Sequence, residues 1–157
     1  MKNIRNPFED LKGFDCFGCC PDNPIGLKMK FVDEDEYVTC HWSPSKHLQG
    51  YVNVLHGGIQ ATLMDEIASW TVYVKAKTAG VTSSLNIEYL KPVFINRGPI
   101  LLKGKLIGSD KRKATVNVEL LNHENIICSK AVVDYYIFPE DVARQRYHYP
   151  GHENFFA

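Results

Sequence analysis

The 157-residue sequence has no hydrophobic run that approaches membrane-spanning length, and its first residues, MKNIRNPFEDLKGF, contain no apolar stretch typical of a signal peptide. It has no excess of charge either, since 18 basic residues balance 18 acidic ones. Unbalanced charge is what attracts nucleic acid or acidic membranes, so neither partner is expected. Internal repeats and low-complexity linkers are also missing. We therefore expect a cytoplasmic protein with a single domain over residues 1–157, a core at about 16–138, and peripheral segments at 1–26 and 139–157.

A disulfide framework is missing, because the five cysteines form an odd set without its spacing, which favours reduced thiols. Cys16, Cys19 and Cys20 form one cluster, a CxxC motif followed by a third cysteine. Structural zinc normally takes four ligands, and the sequence has no second CxxC. His148 and His152 could complete a ligand set, but they lie on the distant tail. We therefore expect a tight turn of thiols, with no metal and no cofactor.

Alternating apolar and polar residues predict strands on both sides of one helix. Upstream, Leu27, Met29 and Phe31 alternate with lysines and can pair with the stretch EYVTCHW through a short acidic turn. Downstream come four longer β-branched and aromatic stretches, TSSLNIEYL, PILLKGKLIG, KATVNVELLN and IICSKAVVDYYIF. This order predicts an α+β fold in which an antiparallel sheet of five to six strands wraps around one long central helix.

The helix is predicted from about Gly58 to Lys77, with apolar residues around most of its circumference. Such a helix should be buried, which makes Asp65 unexpected. The positions three and four residues away hold no basic side chain that could pair with it, and Glu66 should lie on a different face. A structural, hydrogen-bonded Asp would be the default interpretation. Because an unpaired buried carboxylate costs several kcal/mol, we expect Asp65 to have a partner elsewhere in the fold, a partner subunit or a functional role.

Gly57 and Gly58 stand at the predicted start of this helix, directly after His56. Glycines let a ligand approach the backbone closely, and the first N–H groups of a helix are unsatisfied donors at the positive end of its dipole. This is a suitable place for an oxyanion or a polarised carbonyl. His56 would orient the loop or bind substrate, and a histidine that merely pairs with the backbone is an equally good interpretation.

The stretch HGGIQATLMDE resembles the signature of hotdog-fold acyl-CoA thioesterases of the PaaI-like group, related to the 4-hydroxybenzoyl-CoA thioesterases. In that family a His-Gly-Gly precedes the central helix and an acidic residue lies nine positions after the histidine, as His56 and Asp65 do here. The stretches VTSSLNIEYLKPV and CFGCCPDNPIGLKMKF are similar to family segments as well. The resemblance covers roughly residues 16–138 and implies a hotdog fold that hydrolyses an acyl-CoA, with CoA as part of the substrate.

The resemblance also implies roles for individual residues. The backbone N–H of Gly57, joined by that of Gly58, would polarise the thioester carbonyl, and Asp65 would attack it or activate a water that does. The hydroxyl of Thr82 would position that water or the carboxylate. Two subunits would complete each site, the His-Gly-Gly of one facing the acid of the other. We therefore expect a homo-oligomer, either a dimer or a dimer of dimers.

Many relatives carry Asn or Gln six residues before the histidine, where this chain has Gly50. Either the neighbouring Gln49 substitutes by a one-residue shift, or the site relies on Thr82 alone.

The turn GSDKRK resembles one that approaches the CoA phosphates, although a run of cations is by default a solvated turn. The candidate substrate contacts in it are Gly108, Ser109, Lys111, Arg112 and Lys113. Arg97 is a weaker candidate.

Three other functions fit parts of the sequence. A hotdog module that binds acyl-CoA without hydrolysing it is favoured by Gly50 in place of the usual amide. A hotdog dehydratase would need a catalytic histidine paired differently with the acid. A zinc- or thiol-based protein has the least support.

Overall fold

Seven strands form one antiparallel sheet in the computed structural model, which describes residues 1–156. The strands are β1 (Lys2–Ile4), β2 (Phe31–Glu34), β3 (Tyr37–Trp42), β4 (Gly80–Tyr89), β5 (Ile100–Ser109), β6 (Lys113–Leu121) and β7 (Ile127–Ile137). Their order across the sheet is β1-β2-β3-β5-β6-β7-β4. The predicted hotdog fold is confirmed, and the described residues contribute one strand more than the five to six expected.

One long helix, α1 (Gly57–Thr71), lies inside the curved sheet and continues as a π-helical turn, Val72–Ala76. Its apolar face is fully buried at Leu63, Met64 and Ile67, as the sequence pattern predicts. The helical segment ends at Lys77, which adopts a left-handed conformation with φ of 56°. A second helix, α2, spans Glu140–Tyr147. Neither helix is long and apolar enough to cross a membrane.

The N-terminal region differs from the prediction. The stretch before Phe31 is not a strand, because Leu27 and Met29 donate their backbone N–H groups to the carbonyls of Phe17 and Gly18. The alternation of Leu27, Met29 and Phe31 nevertheless places all three side chains in the core. The strand itself begins at Phe31, and β1, which the polar sequence did not indicate, pairs with it along the sheet edge.

The C-terminal tail packs on the body of the protein. Tyr149 and Phe155 are buried, and the backbone N–H of Arg5 donates to the carbonyl of Phe155 at 2.8 Å. Both terminal segments, expected to be peripheral, therefore contribute to the same core.

Candidate active site

Asp65 lies half-buried in the third turn of α1, where the helix passes over β4 and β7. Two hydroxyls donate to its Oδ1 atom: Thr82 Oγ1 at 2.8 Å and the Tyr135 hydroxyl at 2.7 Å. Thr82 and Tyr135 are opposite each other in the pairing of β4 with β7, so the sheet register itself brings the two donors together. Among the described residues, no group donates to Oδ2. The carboxylate is thus held by one oxygen and has the other available.

Tyr135 was not identified from the sequence. It is 1% exposed, whereas the next residue, Tyr136, is 61% exposed, as strand alternation requires. Burial, and then the negative charge of Asp65, raise the pKa of the Tyr135 hydroxyl far above its ordinary value. Tyr135 therefore remains protonated at neutral pH and can donate a hydrogen bond to the carboxylate. The signal that could have revealed it is its register opposite Thr82, which a sequence pattern does not fix.

The His-Gly-Gly loop forms the start of α1. The Nδ1 atom of His56 accepts a hydrogen bond from the backbone N–H of Gly58 at 2.8 Å, so the imidazole caps the helix as an acceptor. Tyr89 donates its hydroxyl to the carbonyl of Gly57 at 2.7 Å, which ties the loop to the end of β4. His56 therefore orients the loop, and the N–H of Gly58 is engaged. The N–H of Gly57 has no acceptor within residues 1–156 and is available as a donor.

Gln49 lies beside this loop. Its side-chain oxygen accepts from the backbone N–H of Asn53 at 2.9 Å, which stabilises the turn before the helix. Gln49, His56 and Gly58 line an open cavity of about 300 Å³. Gly50 is not required sterically, because a Cβ added there would meet His56 at an ordinary 3.6 Å. Gln49 is therefore near the loop, but its amide oxygen already has a structural partner.

The two halves of the candidate site are separated within one chain. Asp65 follows Gly57 by eight residues, which corresponds to about 12 Å along the axis of α1. One carbonyl group cannot reach both the N–H of Gly57 and the carboxylate of the same helix over that distance. β4, which carries Thr82, is the last strand of the sheet and has no neighbour on its outer side among residues 1–156. On and beside this edge, Val81, Leu85 and Tyr89 are 40%, 37% and 53% exposed.

The cationic turn connects β5 to β6. Asp110 organises it by accepting from the backbone N–H groups of Arg112 and Lys113, each at 2.8 Å, and these bonds lower the pKa of its carboxyl. The Lys113 ammonium lies 3.6 Å from Asp134, which also contacts Ser84 on β4. The turn therefore stands at the end of the sheet where Thr82 lies.

The other predicted contacts in this region are solvent-accessible. Lys111 and Arg112 are exposed, and Gly108 and Ser109 are exposed residues at the end of β5. Arg97 lies elsewhere, with its guanidinium 4.4 Å from the centre of the Phe94 ring.

The chain is similar to thioesterases in sequence and in structure. Residues 52–129 match the model of the Thioesterase superfamily. Acyl-coenzyme A thioesterase 13 of Mus musculus is 28% identical over 88 residues, which are 55% of this chain and 62% of that protein. The human protein of the same name is 28% identical over 86 residues, 54% of this chain and 61% of that protein. The chain thus spans less than two thirds of the length of the curated relatives it matches.

Two solved structures share the fold. A crystal structure of a thioesterase superfamily protein has a TM-score of 0.69 at 24% identity. The match covers 75% of this chain and 61% of the chain in that crystal structure. A hypothetical thioesterase protein of Streptococcus pneumoniae, solved with coenzyme A, has a TM-score of 0.65 at 22% identity. The match covers 71% of this chain and 90% of the chain of that protein.

Proposed function

This chain belongs to the thioesterase superfamily, and from that premise we propose that it hydrolyses an acyl-CoA thioester to a free acid and CoA. The observation that carries the proposal is the Asp65 carboxylate, held through Oδ1 by Thr82 and Tyr135 while Oδ2 is available. A carboxylate fixed by one oxygen, with no donor to the other among residues 1–156, suits a base or nucleophile.

The proposed reaction uses two groups that act on the same thioester carbonyl, one at its oxygen and one at its carbon. The N–H of Gly57 donates to the carbonyl oxygen and stabilises the negative charge that develops there. Oδ2 of Asp65 either accepts a proton from the attacking water or attacks the carbonyl carbon itself, in which case water later hydrolyses the acyl-enzyme. In both cases the bond between the carbonyl carbon and sulfur breaks, CoA leaves as a thiol after protonation, and the acid is released.

We propose that a second copy of the chain completes the site. The separation of about 12 Å between Gly57 and Asp65 along α1 requires that the two groups acting on one carbonyl come from different subunits. The free edge of β4 supports this arrangement, since an unpaired strand with exposed apolar residues is a ready surface for a second copy. A homodimer, or a dimer of dimers, is therefore the proposed assembly.

The CoA portion of the substrate is assigned to the cationic turn. Lys111, Arg112 and Lys113 present positive charge at the end of the sheet that carries Thr82, and phosphates are anions that such groups bind. Gln49 and Gly58 line the cavity at the loop and are proposed to contact the pantetheine or acyl portion.

A second candidate is a module that binds acyl-CoA without hydrolysing it. The specific observation in its favour is that no side-chain amide stands at Gly50, while the amide oxygen of Gln49 is used by Asn53.

The test compares wild type and Asp65→Asn on a panel of short, long and aromatic acyl-CoAs, with released CoA measured by chromatography because five native thiols would react with a thiol dye. We expect turnover by the wild type and a loss of roughly a hundredfold or more in the variant, as removal of a catalytic base gives. Saturable binding without turnover by folded wild type would instead establish the binding module.

A further inference from the structure

Glu66, the residue after Asp65, points away from the candidate active site toward the N-terminal segment. Its Oε1 atom lies 3.6 Å from the Cys16 sulfur and accepts a hydrogen bond from the Trp70 indole N–H at 3.1 Å. The donor atoms of Cys16, Cys19 and Glu66 all lie within 4.8 Å of one another. These three residues form what we call the Cys-Cys-Glu cluster. The thioesterase chemistry proposed above makes no use of it.

The cluster brings together two thiols and a carboxylate with no compensating positive charge. None of the salt bridges formed by residues 1–156 includes Glu66. A carboxylate partly removed from water is stabilised by a cation, and two neighbouring thiols become good ligands when they lose their protons. A divalent cation would supply the charge that the protein itself does not.

The spacing fits a tetrahedral ion. Zinc–sulfur bonds of about 2.3 Å and zinc–oxygen bonds of about 2.1 Å at tetrahedral angles place neighbouring sulfur and oxygen ligands about 3.6 Å apart. The distance between Cys16 Sγ and Glu66 Oε1 is 3.6 Å, and the third donor is within 4.8 Å of both. The CxxC spacing is the usual arrangement of two thiolate ligands on one loop.

The surrounding residues hold the carboxylate against the thiols. Gly18, between the two cysteines, packs so closely on Glu66 that a Cβ added there would lie 2.4 Å from its carboxyl carbon. A larger residue at this position would require the Glu66 side chain to move from its place beside the thiols. The Trp70 indole fixes the carboxylate as outer-shell donors fix metal ligands. A pair of thiols that served only to form a disulfide would not need a carboxylate packed against both.

We propose that Cys16, Cys19 and Glu66 bind one zinc-class divalent cation, with a water at the fourth position. Cys16 and Glu66 are half-buried, which leaves one side of the cluster open to solvent. The ion would attach the segment at Cys16–Cys20 to the middle of α1, one residue from Asp65. The free energy of binding at such a site would be added to the stability of the fold.

The experiment uses full-length protein purified under reducing conditions, stripped with a chelator and titrated with Zn²⁺, and in parallel with Co²⁺ as a spectroscopic probe. We expect one ion per chain by elemental analysis, a thiolate-to-cobalt charge-transfer band, and a higher Tm with metal than without. Cys16→Ser, Cys19→Ser and Glu66→Gln should each weaken binding roughly tenfold or more. Glu66→Gln keeps the shape of the side chain and an oxygen that accepts from the Trp70 indole. It therefore tests the site even if a cysteine variant does not fold.

The matched control is Cys20→Ser, which alters a buried neighbouring thiol that contacts the carbonyl of Phe14 and lies outside the cluster. It should bind metal like the wild type. The proposal is overturned if the folded wild type binds no ion or if Glu66→Gln binds the ion as tightly as wild type. It is also overturned if Cys16 and Cys19 are found only as a disulfide and never bound to metal.

Discussion

At the scale of single residues, Asp65 depends on hydroxyl donors and not on an opposite charge. Thr82 and Tyr135 both donate to Oδ1, from strands that pair directly with each other. Hydrogen bonds to a charged group contribute about 1.5–3 kcal/mol each, enough to fix the orientation of a carboxylate without removing its negative charge. An arginine or lysine in the same place would neutralise the carboxylate and weaken it as a base.

Tyr135→Phe should therefore reduce the proposed activity while keeping the shape of the core. The change deletes only the hydroxyl, which lies 2.7 Å from both Oδ1 and the backbone carbonyl oxygen of Asp65. Loss of one hydrogen bond to a charged group, about 1.5–3 kcal/mol, corresponds to roughly a 10–150-fold lower kcat. We expect KM for the acyl-CoA to change much less, because Tyr135 is buried and faces the carboxylate. Steady-state kinetics on the best substrate of the panel measure both constants.

The neighbouring residue provides the control. Tyr136 is exposed on the opposite face of β7, so Tyr136→Phe should leave kcat unchanged. Thr82→Val removes the other donor and should also lower kcat, whereas Thr82→Ser keeps a hydroxyl and should restore most of it. Equal kcat values for wild type and Tyr135→Phe would contradict a positioning role for this hydroxyl.

The candidate site was predictable from sequence where local spacing defines it and, for Thr82, through the family resemblance. Asp65 and the His-Gly-Gly loop are nine residues apart on one helix, so their relation follows from the helix itself. Tyr135 is seventy positions from Asp65, and its contact depends on the register of β7 against β4. The capping of Gly58 by His56 depends on a side-chain rotamer, which residue identity does not determine.

At the scale of elements, β4 is the unusual strand. It pairs with β7 on one side only, although it is ten residues long and contains exposed apolar side chains. Long free edges with apolar residues promote association, and proteins that remain monomeric usually protect them with charge, proline or a covering segment. β4 has no proline and carries one charged residue, Glu88. Its exposed edge therefore belongs to the proposed contact between two copies.

Leu85→Lys should convert the proposed dimer to a monomer and abolish hydrolysis at the same time. A lysine at this edge opposes its symmetry-related counterpart and disfavours the pairing of two β4 strands. Light scattering after size-exclusion chromatography would measure the mass, and the acyl-CoA assay would measure the activity. Loss of both together is expected, because each site uses Gly57 of one copy and Asp65 of the other.

Val132→Lys is the control for this variant. Val132 is 43% exposed, similar to Leu85, but it lies on β7, which has a neighbour on each side. The Val132→Lys variant should remain dimeric and active. A monomeric wild type with full activity would contradict the shared site.

Element types followed from the sequence more reliably than element boundaries near the N-terminus. The four strands after α1 lie within two residues of their predicted bounds, because alternation and turn residues agree there. The stretch before β2 has the same alternation but donates its N–H groups to the CxxC segment, a tertiary preference that overrides the local pattern. β1 is a short polar edge strand, and three such residues carry no signal of their own.

At the scale of the whole molecule, both chain termini converge on one aromatic cluster. Phe155 from the tail packs against Phe8 near the N-terminus, Trp70 and Tyr73 on the central helical segment, and Tyr149, with ring centres 5.6–6.0 Å apart. Trp70 is also the indole that orients Glu66. The cluster thus connects the two termini, the central helix and the segment that holds the Cys-Cys-Glu cluster.

Phe155→Ala should consequently destabilise the entire domain and not only the tail. Phe155 is fully buried, and removing such a ring typically costs about 3–5 kcal/mol through lost burial and the cavity left behind. We expect a lower midpoint of urea unfolding with an unchanged slope, in one transition seen by both tryptophan fluorescence and circular dichroism. Phe156→Ala is the matched control. Because Phe156 is only half-buried, its removal should lower the free energy of unfolding clearly less than the removal of Phe155. Equal effects of the two variants, or a separate early transition for the tail, would mean that the C-terminal segment docks on a core that is complete without it.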